Sequence, residues 1–357
     1  MKRDVVVDLV KAVGIICVVI GHSSCPEFLR SVIYSFHMPL FFIASGLFFK
    51  EKYLYSKKDF FVKKVKGLYI PFVCFSTLFL LLHNFFVYCG VLNSSYGSSI
   101  GTVSKYYSLV VMLKKMICIL FFMSGYENFL LGAFWFFRAL FGGSILICFF
   151  SYLLSNFCSP KKSIVLSALL FYFLAGFLKY FEISLPEGLG YRECMAAFFI
   201  GIGYFSRENF LCFTKLKFLS MAAVFGLSNI IYPCSMDLNC SIFDWLVIPV
   251  SGVSGFYVLY NALSFIAKSD KVKLLSFIGE NSIWILTFHF LSFKLSALIE
   301  IWAYGLPFAM IGCHPVIPAK DNYFFLIHSL FGIILPLIIC LAFHFCKKKL
   351  NDVFFVK

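Results

Sequence analysis

Ionisable side chains are scarce in this 357-residue chain, and the most suggestive group sits in its first apolar run. That run holds Asp8, Lys11 and His22. Eleven residues separate Lys11 from His22. On an α-helix this is three turns plus about 20°, so both lie on one face, about 16 Å apart along the axis. Asp8, three residues before Lys11, is placed to be its ion partner. An ionisable group in mid-membrane costs roughly 3 kcal/mol on insertion scales, so such groups are functional candidates by default. A histidine there suits general-base or nucleophilic work, because its neutral ring keeps a lone pair near neutral pH.

His37 opens the second apolar run within Ser35-Phe36-His37-Met38-Pro39-Leu40-Phe41-Phe42. Pro39 must free a backbone carbonyl and loosen the helix beside it. His37 falls at a depth similar to His22, so the two are expected to form a proton-handling pair. Arg138 follows Phe134-Trp135-Phe136-Phe137 and reads either as an interfacial anchor or as a site cation. His289 lies in the middle of a late apolar run, and Ser282, His289 and Ser296, seven apart, share its face. That histidine is either bonded within a bundle or part of the site. Glu193 and Lys294 are weaker candidates; His83, His314, His328 and His344 show no partner in sequence and read as structural. No metal-ligand spacing, glycine-rich phosphate loop or G-x-S-x-G elbow is present.

Lipid must surround most of the elements that position these residues. The chain is 61% hydrophobic and 13% charged, against roughly 25% charged for a soluble domain. Too little polar surface remains to coat a water-soluble globule, so the expected fold is all-α, a polytopic membrane helix bundle. About ten transmembrane helices are expected, near 5–23, 31–49, 68–90, 131–156, 163–181, 190–205, 217–233, 243–266, 281–301 and 323–346. A shorter run at 109–123, after the polar stretch 93–99, reads as interfacial or re-entrant. With both termini cytoplasmic, 21 of the 31 Lys and Arg fall on inner segments and seven on outer ones, the positive-inside bias. The inner set includes Lys2, Arg3, seven lysines from Lys50 to Lys66, and Lys357; the outer set includes Lys320. A formal charge of +14 is thus topology, and nucleic acid is not expected as a partner. No cleavable leader is expected, because Asp8 and Lys11 interrupt the first run. The chain reads as one domain, 1–357, without internal repeats. Most of the 14 cysteines read as small buried hydrophobes, while Cys234 and Cys240 share an outer loop and could pair there.

The order of these blocks resembles the acyltransferase-3 family of bacterial membrane O-acyltransferases, especially fucose 4-O-acetylase-like and polysaccharide O-acetyltransferase members. The match runs from Asp8 to Gly21-His22-Ser23, through Ser35–Phe42 with Ser45-Gly46, and on to Tyr69-Ile70-Pro71-Phe72. It continues with Phe134-Trp135-Phe136 and Ile278-Gly279-Glu280-Asn281-Ser282 before His289. The resemblance implies a multi-pass enzyme of the bacterial inner (plasma) membrane. Its acyl donor would be acetyl-CoA, its acceptor a glycan or lipid-linked sugar hydroxyl, and it would need no metal. His22 would be the catalytic base or acetyl carrier, with His37 beside it. Lys11, Lys66, Arg138 and His289 would hold or steady the donor, with Lys63 and Lys64 as further contacts for its phosphates. A lysine at position 11 lacks the bidentate fork that arginine offers a phosphate. A transporter or flippase for a lipid-linked saccharide is the alternative reading.

Overall fold

Proline and glycine at a few sites decide where the helices break and how closely they pack. In the computed structural model, residues 4–96, 105–183, 185, 189–207, 210–237, 239–318 and 323–354 are described. Lys2, Arg3, Lys320, Lys357 and part of the 93–99 stretch lie outside them. All regular structure among the described residues is helical. Helix α1 (Val5–Gly21) starts at Asp4, whose carboxylate accepts the Val7 N–H at 3.3 Å.

The expected span 31–49 is two helices, α2 (Glu27–Tyr34) and α3 (His37–Leu47). The break has a steric cause. Pro39 sits in the first turn of α3, where its missing N–H needs no partner, and its ring would clash with the carbonyl four residues back, at Ser35. The freed Ser35 carbonyl accepts a hydrogen bond from Ser251 Oγ at 2.9 Å. Short helices α4 (Lys52–Tyr55) and α5 (Lys57–Lys64) carry the basic stretch, and a π turn (Val65–Tyr69) leads into α6 (Ile70–Tyr88). The segment expected to be interfacial is α7 (Leu109–Phe122), 14 residues long, with Leu109, Leu113, Ile117 and Phe121 exposed.

Then follow α8 (Trp135–Leu154), α9 (Pro160–Tyr180), α10 (Tyr191–Ser206), α11 (Lys215–Ile231) and α12 (Ile242–Ile266). The chain ends with α13 (Lys273–Glu280), α14 (Ser282–Tyr304) and α15 (Phe324–Phe354). Seven described helical stretches are long and apolar enough to cross a membrane. Of the other expected spans, α1 and α11 have 17 residues and α10 has 16, short of that length. The chain is a polytopic helical membrane protein.

Helix α10 is buried almost throughout, gripped by α3, α8 and α9. Gly46 of α3 and Gly203 of α10 make this possible, because a Cβ on either would strike the other helix's backbone, at the Ile200 and Ile43 carbonyls. Likewise Gly279 of α13 leaves no room for a Cβ against the Asp8 carbonyl, which seats α13 on the inner half of α1. Two cores result. One surrounds α3, α9 and α10; the other joins α1, α6, α14 and the 126–134 segment. Phe41, Leu68 and Phe136 pack against both cores and mark the seam between them.

Cys234 and Cys240, which could have paired in their shared loop, are free thiols. Asp244 already closes their loop, accepting the Ser235 and Ser241 N–H groups at 2.7 Å each. Cys234 Sγ lies 3.1 Å from Ser251 Oγ.

Candidate active site

The seam between the cores opens into a cavity of about 300 Å³, near the lower end of the range for small-molecule sites. Its polar lining is Lys11, His22, Tyr34, His37, Ser45, Asp237, Glu280 and Ser282. The apolar wall includes Ile15, Val18, Phe41, Phe136 and Leu286. Thus the helical face read from the Lys11–His22 spacing does line one cavity, and His37 joins it from a separate helix. Lys11 Nζ lies 2.6 Å from Asp8 Oδ1, the ion pair expected from their spacing.

Each histidine here has one ring nitrogen committed to a neighbour. His37 Nδ1 lies 2.7 Å from the Ile33 carbonyl, one turn back across the helix break. A carbonyl only accepts, so Nδ1 carries the proton and Nε2 keeps the lone pair. His289 Nδ1 is 3.0 Å from both the Ile285 and Leu286 carbonyls, which fixes the same tautomer. For His22 the partner is a tyrosine. Tyr34 OH donates to the Gly21 carbonyl at 3.5 Å and lies 3.4 Å from His22 Nδ1. With its one proton directed at the Gly21 carbonyl, the hydroxyl is an acceptor for His22 Nδ1–H, the tautomer that frees Nε2. His22 Nε2 is left as an open base. Gly21 is needed at this corner, since a Cβ there would stand 2.9 Å from the Tyr34 ring.

A second cavity, about 510 Å³, continues from the first toward the α4–α5 stretch. Val7, Lys11, Ser45, Phe48, Leu68 and Leu140 line both, so the two form one passage with Lys11 at the junction. Its far end holds Asp4, Asp8, Tyr53, Lys63 and Lys64. Lys64 Nζ reaches Ser45 Oγ at 3.2 Å and Lys63 Nζ reaches Tyr53 OH at 3.4 Å, which aims both ammonium groups into the passage. Lys66 lies outside both cavities, in the π turn.

Arg138 is placed one layer away. Its Nε donates to Glu193 Oε1 at 2.9 Å, and both residues are buried. Glu193 Oε2 also accepts the Gly190 N–H at 2.8 Å, so the pair ties α8 to the start of α10. His289 is fully buried behind His22, with ring centroids 5.7 Å apart and planes 29° from parallel. Three lining residues escaped the sequence reading. Tyr34 lies beyond the helix break from His37, so periodicity does not join them. Trp135 stood only as part of the Phe134–Phe137 block, and Asp237 carried no signal in the sequence. In the fold Arg192 stacks 3.9 Å above the Trp135 ring and lies 3.7 Å from Asp237, framing the cavity end opposite Lys63 and Lys64. Among the described residues, no three His, Cys, Asp or Glu side chains converge as metal ligands.

A mouth that holds Lys63 and Lys64 beside Asp4 and Asp8 thus leads past Lys11 to His22 and His37. A family model described as an acyltransferase domain, that of acyltransferase 3, matches residues 4–345. No curated protein and no solved structure matches the chain.

Proposed function

Because the chain belongs to the acyltransferase-3 family over nearly its whole length, and is therefore a membrane acyltransferase, we propose that it is an O-acetyltransferase. In this reading it sits in the bacterial inner membrane and moves acetyl from cytoplasmic acetyl-CoA to a hydroxyl of a cell-surface or lipid-linked glycan. The observation that carries the reading is the continuous passage from Lys63 and Lys64, past Lys11, to His22 and His37.

The CoA phosphates rest at the mouth, beside Lys63 and Lys64, and the pantetheine arm lies along the α1 face. That face is about 16 Å long between Lys11 and His22. The thioester reaches His22 between Ile15, Val18 and Leu286, where water is excluded. A neutral sugar hydroxyl is a weak nucleophile, and His22 Nε2 has two ways to help. It takes the hydroxyl proton as general base, or it accepts the acetyl group and passes it on. His37 Nε2 shares the proton. Arg138 supports the site through Glu193 and α10, without touching the donor. The acceptor enters at the end framed by Trp135, Arg192 and Asp237.

The test uses purified protein in nanodiscs and acetyl-CoA labelled on the acetyl group, comparing wild type with His22→Ala. Protein-bound label that disappears in the variant supports an acetyl-histidine. CoA release that needs His22 and a glycan, without protein label, supports direct transfer. No turnover of acetyl-CoA with any of a panel of glycans would overturn the assignment.

A further inference from the structure

A second set of buried polar groups leaves His22 on the side away from the mouth at Lys63 and Lys64. Helix α14 carries His289, Lys294, Ser296 and Glu300; the segment after it carries Cys313 and His314; α15 carries His328. His289, Lys294, Glu300 and His328 are at most 3% exposed. His289 and His314 flank the Phe290 ring, at centroid distances of 4.1 and 5.2 Å. His314 and the Lys294 ammonium lie 4.4 and 4.9 Å from the Phe129 ring. Lys294 Nζ donates to the Cys313 carbonyl at 2.5 Å.

The hydrogen bonds assign the protons. Ser296 Oγ donates to the Phe293 carbonyl at 2.9 Å, so it accepts from His328 Nδ1–H at 2.7 Å. His328 Nε2 then faces Glu300 Oε2 at 3.2 Å, and neither atom has another partner. Two bare lone pairs repel at that distance, so a proton is held by one group of the pair. His289 Nε2 and His314 Nδ1 also lack partners. Burial, together with Lys294 and His289, lowers the pKa of His314 to about 4, so this ring is a neutral acceptor. Buried polar atoms are nearly always satisfied. Two open ones beside His22, His289 Nε2 and His314 Nδ1, call for a common explanation, and water linking them to the Glu300–His328 pair supplies it. The other ionisable groups facing this sector are His22 from α1, Lys294 from α14 and Cys313 from the connecting segment.

We propose that His289, His314 and the Glu300–His328 pair, bridged by bound water, conduct protons between His22 and the acceptor-side surface. The inference rests on the acyl-transfer reading and on its acyl-histidine form. There the His22 Nε2–carbonyl bond forms as the C–S bond breaks, and the CoA thiolate takes a proton from water on the donor side. The acceptor hydroxyl oxygen then forms the ester bond as the N–C bond breaks, and the hydroxyl proton is left at His22. One proton is taken up on one side and one released on the other, so the site needs an outlet that avoids the donor passage.

The test measures labelled-acetyl turnover in proteoliposomes for wild type, Glu300→Gln and His314→Asn, with and without azide as a small proton carrier. Only protein that is monodisperse on size exclusion is used. About a tenfold drop in kcat, an unchanged KM for acetyl-CoA and recovery with azide are expected, consistent with the size of general acid–base effects. Wild-type kcat in both variants would overturn the branch, as would a loss that azide does not restore. His314→Asn carries the test by itself should Glu300→Gln fail to fold. Failure of the acyl-transfer reading has a different signature, the absence of wild-type turnover, and would overturn both.

Discussion

Two histidines, His83 on α6 and His22 at the end of α1, have opposite environments. His83 on α6 is fully enclosed, with Nδ1 2.5 Å from Glu127 Oε2, Nε2 3.0 Å from the Lys105 carbonyl, and its ring stacked on Tyr107 at 3.5 Å. Both nitrogens are engaged, one by a carboxyl and one by a carbonyl, so no lone pair is left for chemistry. Glu127 is equally occupied, since Oε1 accepts the Phe129 N–H at 3.3 Å. Asn84, the next residue, accepts from and donates to the Tyr107 backbone at 2.7 and 3.0 Å. This cluster is a staple that fastens the 105–108 and 124–131 segments to α6. His22 has one nitrogen engaged by a neutral hydroxyl and the other open to a cavity. A fully satisfied buried imidazole holds structure, while a half-satisfied one at a cavity wall is free to react.

His22→Ala is the widest separation of the two. Turnover is expected to fall at least about a thousandfold while the protein stays monodisperse, because base and nucleophile are both removed. CoA release within tenfold of wild type would end the distinction. His37→Ala is expected to lower kcat about a hundredfold, the middle of the range for a group that shares a proton in the reaction. Tyr34→Phe sharpens the contrast at one atom. It deletes the acceptor of His22 Nδ1–H, and kcat is expected to fall about fivefold with KM for acetyl-CoA unchanged, the worth of one ordinary hydrogen bond. A KM change instead would move Tyr34 to donor binding. The smallest effect on turnover is expected for His83→Ala, within about twofold per folded molecule. Its effect appears in stability, since leaving Glu127 buried alone costs about 3–5 kcal/mol, read as a lowered thermal midpoint.

Short-range spacing made part of this site readable. Lys11, His22 and the Asp8 ion pair follow from helical periodicity within one element, and Pro39 marked the loosened backbone beside His37. Longer pairings stayed hidden. Arg138 meets Glu193 from another helix, 55 residues on; His83 meets Glu127 at 44; Glu300 and His328 lie on different helices. Nothing in a one-dimensional pattern couples such residues, so His83 and His328 looked partnerless. Lys63, Lys64 and Lys66 looked equivalent, yet the π turn at Val65–Tyr69 leaves Lys66 outside both cavities.

The sequence by itself determined a helical membrane protein and the polar face of its first helix. In lipid every backbone group must be bonded internally, and a 3.6-residue period then dictates which side chains align. Only the tertiary structure decided which histidine nitrogens are open. An imidazole's tautomer is set by what its other nitrogen touches, and for His22 that partner is Tyr34, brought to it by the α2–α3 break and the space left at Gly21.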